Sequence, residues 1–187
     1  MARMASQESR PLGVVRRLRP SELILFRDHL MRLDGDSRRD RFNGVASDAF
    51  LEDYAARSFS QGATVVGYVE DGRVLGAAEL HERPESDPPT AEIAFSVEKA
   101  LQHRGLGSQL FQRLIAHARA LGYTRLRVTT HRQNDAMRAL ARKFNARISF
   151  EEGETVGHID LKPASLSDAE LSAAYLPALA AGALPVR

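Results

Sequence analysis

The residues with chemical potential concentrate between positions 92 and 134. Gln102-His103-Arg104-Gly105-Leu106-Gly107 follows an alternating apolar stretch and precedes an amphipathic one, so it reads as a turn from a strand into a helix. The first turn of a helix carries unpaired backbone N–H groups and the positive end of the helix dipole, which together suit an anion such as a pyrophosphate. Gly105 and Gly107 would let phosphates approach the backbone closely, and Arg104 adds a cation beside them. Glu92 lies on the strand before this turn, where by itself it reads as a surface or salt-bridged carboxylate. Asn134 opens a later helix, where it can cap the first turn.

Three nucleotide-binding readings compete for the glycine turn, and a plain strand-to-helix turn would also explain it. A phosphate loop of the NTPase type needs Gly-Lys-Ser/Thr, but Gly107 is followed by Ser108-Gln109. A dinucleotide fold wants three glycines, an early place in the chain and an acidic residue further on. The third reading is an acyl-CoA pyrophosphate. Glu79, His81 and His158 are further proton acceptors by residue type, although a single histidine is more often structural. Glu151, Glu152 and Glu154 read as a solvated acidic turn. Arg38, Arg39 and Arg41 form either a basic patch or internal pairs with Asp36 and Asp40.

The elements that must position these groups follow from periodicity. Val14 to Leu18 reads as a strand. Pro20-Ser21 opens a helix with Leu23, Phe26, Leu30 and Leu33 at helical spacing, ended by Asp34-Gly35-Asp36. Ser37 to Phe42 is a short helical piece, and Ser47 caps another helix whose apolar positions are Phe50, Tyr54 and Phe59. Ala63 to Glu70 and Arg73 to His81 flank Asp71-Gly72, a hairpin signal. Thr90 to Glu98 alternates, with Ala91, Ile93, Phe95 and Val97 on one side and Glu92, Ala94 and Ser96 on the other. A long helix to Leu121 buries Leu110, Phe111, Leu114, Ile115 and Ala118. Thr124 to Thr129 is a strand, Asn134 to Phe144 a helix, and Arg147 to Phe150 and Thr155 to Leu161 two closing strands. Residues 1–12 read as a flexible leader, 13–162 as one domain, and 163–187 as a tail with a short helix from Ser167, set by capping-box spacing with Glu170.

Composition narrows the function classes. The chain has 187 residues, enough for one domain with a sizeable core. Its 26 basic against 24 acidic residues leave a net charge of +2, and no aromatic interleaving marks a nucleic-acid surface. Cysteine is absent, which removes disulfides, thiolate metal sites and a cysteine nucleophile. The six histidines lack metal-site spacing, so no metal is expected. No apolar run approaches the ~20 residues of a membrane span, and a cytoplasmic location is the expectation. Self-association as a homodimer stays open.

Gln102-x-x-Gly105-x-Gly107, with the strand ending at Val97, the following helix and a second motif from Asn134, resembles the central motif of the GNAT superfamily of N-acetyltransferases. The resemblance spans roughly Val14 to Leu161 and includes the order of the elements. It implies an α/β fold with a mixed, mostly antiparallel sheet splayed between the fourth and fifth strands. It also implies acetyl-CoA as cosubstrate. Backbone groups of Phe95, Ser96 and Val97 would pair with the pantetheine arm. Backbone amides of Gln102, His103, Arg104, Gly105, Leu106, Gly107 and Ser108 would hold the pyrophosphate, and Asn134 would bond the cofactor near the acyl end. The tyrosine that commonly follows the asparagine by seven residues is Ala141 here, which leaves solvent to protonate the leaving thiolate.

Within that superfamily the chain is similar to bacterial protein lysine acetyltransferases, at Ser37-Arg38-x-x-Arg41-Phe42, at Ala91-Glu92-Ile93-Ala94 and at Ala141-Arg142-Lys143. That likeness implies Glu92 as general base and a protein lysine as acceptor. A small-molecule amine, or an acyl-CoA-binding module without turnover, are the alternatives. Direct transfer is favoured over a covalent acyl-enzyme.

Overall fold

In the computed structural model, which describes residues 13–83, 85–151 and 153–161, the apolar alternation becomes seven strands of one sheet. Strand β1 (Val14–Arg17) is followed by a single 3₁₀ turn at Pro20–Glu22 and by helices α1 (Leu23–Arg32), α2 (Gly35–Phe42) and α3 (Asp48–Ser60). Strands β2 (Thr64–Glu70), β3 (Arg73–Arg83) and β4 (Thr90–Val97) come next. Helix α4 (Leu106–Ala120), β5 (Arg125–Thr130), α5 (Asp135–Lys143), β6 (Arg147–Glu151) and β7 (Glu154–Asp160) complete the described chain. The leader, the tail with its expected helix, and Glu152 lie outside the described residues.

Local chemistry sets the joints. Asp71 and Gly72 both take positive φ (48° and 72°), as a tight hairpin turn with a right-handed twist requires. The Asp34 carboxylate accepts from the Ser37 N–H at 2.8 Å, so this residue caps α2 as well as ending α1. Ser47 caps α3 by accepting from Phe50 N–H. The residues α3 buries are Leu51, Ala55 and Ser58; of the expected Phe50, Tyr54 and Phe59, the last two pack half-buried against this core and Phe50 is exposed, a correction. Phe50 and Tyr54 meet the Phe42 ring of α2, at centroid distances of 5.5 and 5.2 Å.

The strand order is β1-β2-β3-β4-β5-β7-β6. Every pairing is antiparallel except β4 with β5, which is parallel. That pair holds at Thr90–Arg125, Ala91–Leu126 and Glu92–Arg127 and then stops, while β4 stays paired to β3 as far as Val97. The expected splay is therefore present and begins just after Glu92. One sheet face packs Ala78, Leu80, Ile93, Leu126 and Val128 against Leu110, Phe111 and Leu114 of α4 and Met137 and Ala141 of α5. The other packs Val65, Val74 and Ala77 against Phe26 and Leu30 of α1 and Leu51 and Ala55 of α3. At about 1.5–3 kcal/mol per large side chain, these two layers hold the sheet rigid on either side of the splay.

Candidate active site

A cavity of about 530 Å³ opens where β4 and β5 part. Phe95, Ser96 and Val97 form one wall, Gln102, His103, Gly105, Leu106, Gly107 and Ser108 the floor, and Asn134 with the inner face of α5 the opposite wall. Nearly every residue expected to meet the cofactor is thus brought to one place. Arg104 is not among the lining residues; it is exposed on the outside of the turn. Glu92 is also outside the lining, at the base of the splay.

The floor is built by backbone geometry. Gly105 has φ 80°, a left-handed conformation costly for any other residue, and its carbonyl accepts from the N–H groups of Ser108 and Gln109. No side chain caps α4, so its first-turn donors face the cavity. A Cβ built on Gly107 would meet only Leu140, at 3.5 Å, an ordinary contact. Packing alone therefore does not demand glycine at 107; the open space in front of the helix end does. Gln102 ties the turn down, donating from Nε2 to the Val97 carbonyl at 2.9 Å and to Ser37 Oγ at 3.1 Å. One β4 carbonyl near the cavity is consequently engaged by the protein itself.

The Asn134 side chain serves as the α5 cap, accepting from Met137 N–H at 2.8 Å, and its Nδ2 donates to the Asp40 carbonyl of α2 at 3.2 Å. Its amide retains one further N–H for a ligand. Asp40 Oδ1 also meets His131 Nε2 at 2.7 Å, and the His131 N–H donates to Asn43 Oδ1 at 3.0 Å. Helix α2 thereby joins the loop after β4 to the loop after β5, spanning the mouth of the splay. Arg38, Arg39 and Arg41 form neither the patch nor the Asp36 and Asp40 pairs expected. Arg38 binds Asp48, Arg39 binds Gln133, and Arg41 turns inward.

Arg41 Nη2 donates to Glu79 Oε1 at 2.5 Å and to the Tyr54 hydroxyl. The Tyr54 hydroxyl donates to Glu79 Oε2 at 2.7 Å, so the His81 Nε2 at 3.2 Å from the tyrosine oxygen acts as a donor. Glu79 is fully buried. Burial alone would push its carboxyl up, but the Arg41 charge and the His81 hydrogen bond overcome that and hold it down at about 2. Burial, aided by the Glu79 charge, pushes the Tyr54 phenol up. His29, fully buried under β4, lies 2.9 Å from Ser96 Oγ and 3.3 Å from Glu98, and burial pulls its imidazole down.

Glu92 sits between two arginines. Arg83 binds Oε2 through Nε and Nη2, and Arg127 Nη1 meets Oε1 at 3.3 Å. Ala141 does not face the cavity: it is 3 % exposed and packs toward Gly157 of β7. Sequence reasoning missed Ser37, Leu101 and the α5 stripe of Ala136, Ala139, Leu140 and Lys143 as cavity-lining residues. The i, i+3, i+4 and i+7 spacing of that stripe was the available signal. Lys143 Nζ donates to Ser108 Oγ at 2.9 Å, which puts a cation at the phosphate end of the floor.

This geometry suits a long anionic cofactor with an extended arm: donors and a cation at one end, an apolar groove along it, and an unpaired strand edge beside it. Comparisons agree. The sequence profile described as "Acetyltransferase (GNAT) family" matches residues 28–146. The GNAT domain of Streptomyces lividans PAT superposes with a TM-score of 0.68 at 21% identity, covering 80% of this chain and 90% of that one. The Salmonella typhimurium protein yncA, solved with its cofactor acetyl-CoA, gives 0.59 at 18% identity over 82% and 96%. The paia N-acetyltransferase of Thermoplasma acidophilum, solved with coenzyme A, gives 0.60 at 17% over 79% and 98%. Acetyl-CoA is the acyl donor of this family. With its splayed sheet and glycine-floored cavity, the chain belongs to the GNAT acetyltransferase family.

Proposed function

We propose that the protein transfers an acetyl group from acetyl-CoA directly to a primary amine, with Glu92 as the proton acceptor. The observation that carries this reading is the cavity in the β4–β5 splay, floored by the first turn of α4 and closed by Asn134 and α5. Bound there, acetyl-CoA supplies an activated thioester carbonyl. The turn from Gln102 to Ser108, with Lys143, would hold its pyrophosphate, and the strand edge at Phe95 to Val97 its pantetheine arm. These contacts would direct the thioester toward the parting of the strands, where Glu92 lies at the base of the splay. The amine nitrogen forms the new C–N bond, its proton passes to Glu92, the C–S bond breaks, and solvent protonates the thiolate. A thiol leaves readily without a dedicated acid, since its pKa is only ~8.5. Without an acceptor, Arg83 and Arg127 engage both oxygens of Glu92.

Protein lysine is the leading acceptor, because the fold matches the GNAT domain of S. lividans PAT and the chain carries the Ser37-Arg38-x-x-Arg41-Phe42 segment. The test is thiol release from acetyl-CoA against lysine peptides, amino acids, polyamines and aminoglycosides. Turnover with one class supports the reading and names the acceptor. Tight CoA binding with no turnover on any amine refutes acetyl transfer to amines.

A further inference from the structure

The sheet face that carries Glu92 continues across β4, β5, β7 and β6, and its composition is unusual. Register aligns His81, Glu92, Arg127, His158 and Arg147 in one row, because each is the Cα partner of the next. The adjacent row is Arg83, Thr90, Arg125 and Asp160. On the opposite face the same strands present Ala91, Ile93, Leu126, Val128 and Ile159 to the core. Four guanidiniums therefore stand together on the part of the other face that the α1 and α3 core does not cover. Two carboxylates hold them: Glu92 takes Arg83 and Arg127, and Asp160 takes Arg125 at 2.8 Å and Arg147 at 2.7 Å. Each carboxylate cancels one of its two arginines, so each triad keeps a net positive charge. The other acids of this face are Glu79, buried and paired with Arg41, and Glu151 and Glu154, which lie together at the far turn where Asn43 engages Glu154.

Two further observations point to a ligand. Thr129 Oγ1 and His158 Nδ1, both on this face and flanking Arg127, are buried atoms with no hydrogen-bond partner among the described residues. Burying such atoms unpaired is costly, and a bound polar group would relieve it. The arginines at the edges are open to solvent, with 50 % of the Arg83 and 67 % of the Arg147 side chain exposed. The cluster is thus reachable from outside and lies beside the base of the splay.

We propose that this face receives the acceptor, and that the acceptor is a primary amine carried next to an anionic group. The inference rests on the acetyl-transfer reading and adds the acceptor's charge. The acceptor's anion binds Arg127 and Arg83, whose guanidiniums match carboxylate or phosphate in a forked geometry. That contact draws the arginines off Glu92 and frees its lone pair for the incoming ammonium. The proton moves to Glu92, the C–N bond forms, and the C–S bond breaks as the thiolate departs to solvent. An amine without an anion leaves Glu92 locked between its arginines. The chemistry is shared by a lysine in an acidic stretch of protein and by a small amino-acid-like amine.

The test measures binding and turnover separately on the full chain saturated with CoA. Fluorescein-labelled peptides of one length carry a lysine flanked by glutamates or by arginines, and anisotropy reads their affinity. The acidic peptide should bind about tenfold more tightly, the scale of one or two exposed charge contacts, and lose that advantage at high salt. Arg83→Glu, at a half-exposed position outside the cavity lining, should abolish the preference and leave CoA affinity unchanged. γ-Aminobutyrate and putrescine, as competitors and as substrates, supply the small-molecule arm. If γ-aminobutyrate outcompetes putrescine and is acetylated, the anion comes from a metabolite; if only the acidic peptide responds, it comes from a protein. Equal affinity for both peptides, or preference for the basic one, overturns the proposal even where acetyl transfer occurs. A charge preference without any thiol release would instead remove the acetyl-transfer reading and leave an anion-binding face.

Discussion

Replacing Glu79 with glutamine should cost this protein more stability than any conservative change at its surface. The Arg41 side chain is 8 % exposed and that of Glu79 1 %, so the mutation strands a guanidinium in a place that water barely reaches. Removing one partner of a buried ion pair costs about 3–5 kcal/mol, because the remaining charge is left uncompensated. For a chain of this length that corresponds to a fall in melting temperature on the order of 10 °C. The acid arm of the stability curve gives an independent magnitude. The Glu79 carboxyl is held at about 2 in the folded state, below its ordinary unfolded value, so its contribution is complete above about pH 4.5 and is lost as pH falls toward 2. A gap of about two units corresponds to about 3 kcal/mol. Urea titrations of parent and Glu79→Gln at pH 7 and across the acid range read both numbers. Pairing Glu79→Leu with Arg41→Met should recover more than half of the single-mutant loss, since no lone charge remains. A loss under 1 kcal/mol for Glu79→Gln, or a double variant worse than the single, would refute the view that a buried charge pair pins α2 and α3 to the sheet.

Gly107→Glu should abolish CoA binding by calorimetry while leaving the melting temperature close to the parent, because a side chain at 107 meets only Leu140 before it enters the cavity. Retained affinity would remove the α4 terminus as the phosphate site. Glu92→Gln should lower kcat by about 10²–10⁴-fold, the usual contribution of a positioned base, with CoA affinity nearly intact; an unchanged pH–rate profile would transfer the role elsewhere. Ala141→Tyr should destabilise the fold by about 1–3 kcal/mol through overpacking against β7 and bring no gain in kcat. A faster enzyme with an unchanged melt would mean that the ring had reached the cavity.

Much of the frame was legible because it depends on neighbours in sequence. The hairpin at Asp71-Gly72, the alternation from Thr90 to Val97 and the apolar face of Leu110, Phe111 and Leu114 are local patterns, and each formed where the pattern put it. The glycine turn was legible for the same reason. What escaped were the partners brought from far along the chain. Glu79 on a strand with Ala77 and His81 gives no hint of burial until Arg41 arrives from 38 residues away. Arg41 in turn sits in a run of charges that, read locally, ought to pair with its own neighbours. Phe50 looked like core by residue type, but it stays exposed and meets the Phe42 ring of α2.

Helix α2 shows why such long-range contacts govern the site. Its eight residues, Gly-Asp-Ser-Arg-Arg-Asp-Arg-Phe, offer the cores little apolar surface beyond the half-buried Phe42 and would not hold a helix alone. Its order comes from polar bonds: Ser37 to Gln102 after β4, Asp40 to Asn134 and His131 after β5, Arg41 to Glu79 below. The two loops it joins are the two rims of the cavity. A shift of α2 therefore moves the phosphate-facing turn and the α5 cap together, whereas either loop moving alone must break a bond to α2. Helix α2, outside both strands, thus ties the two rims of the splay to each other through Ser37–Gln102 and Asp40–Asn134.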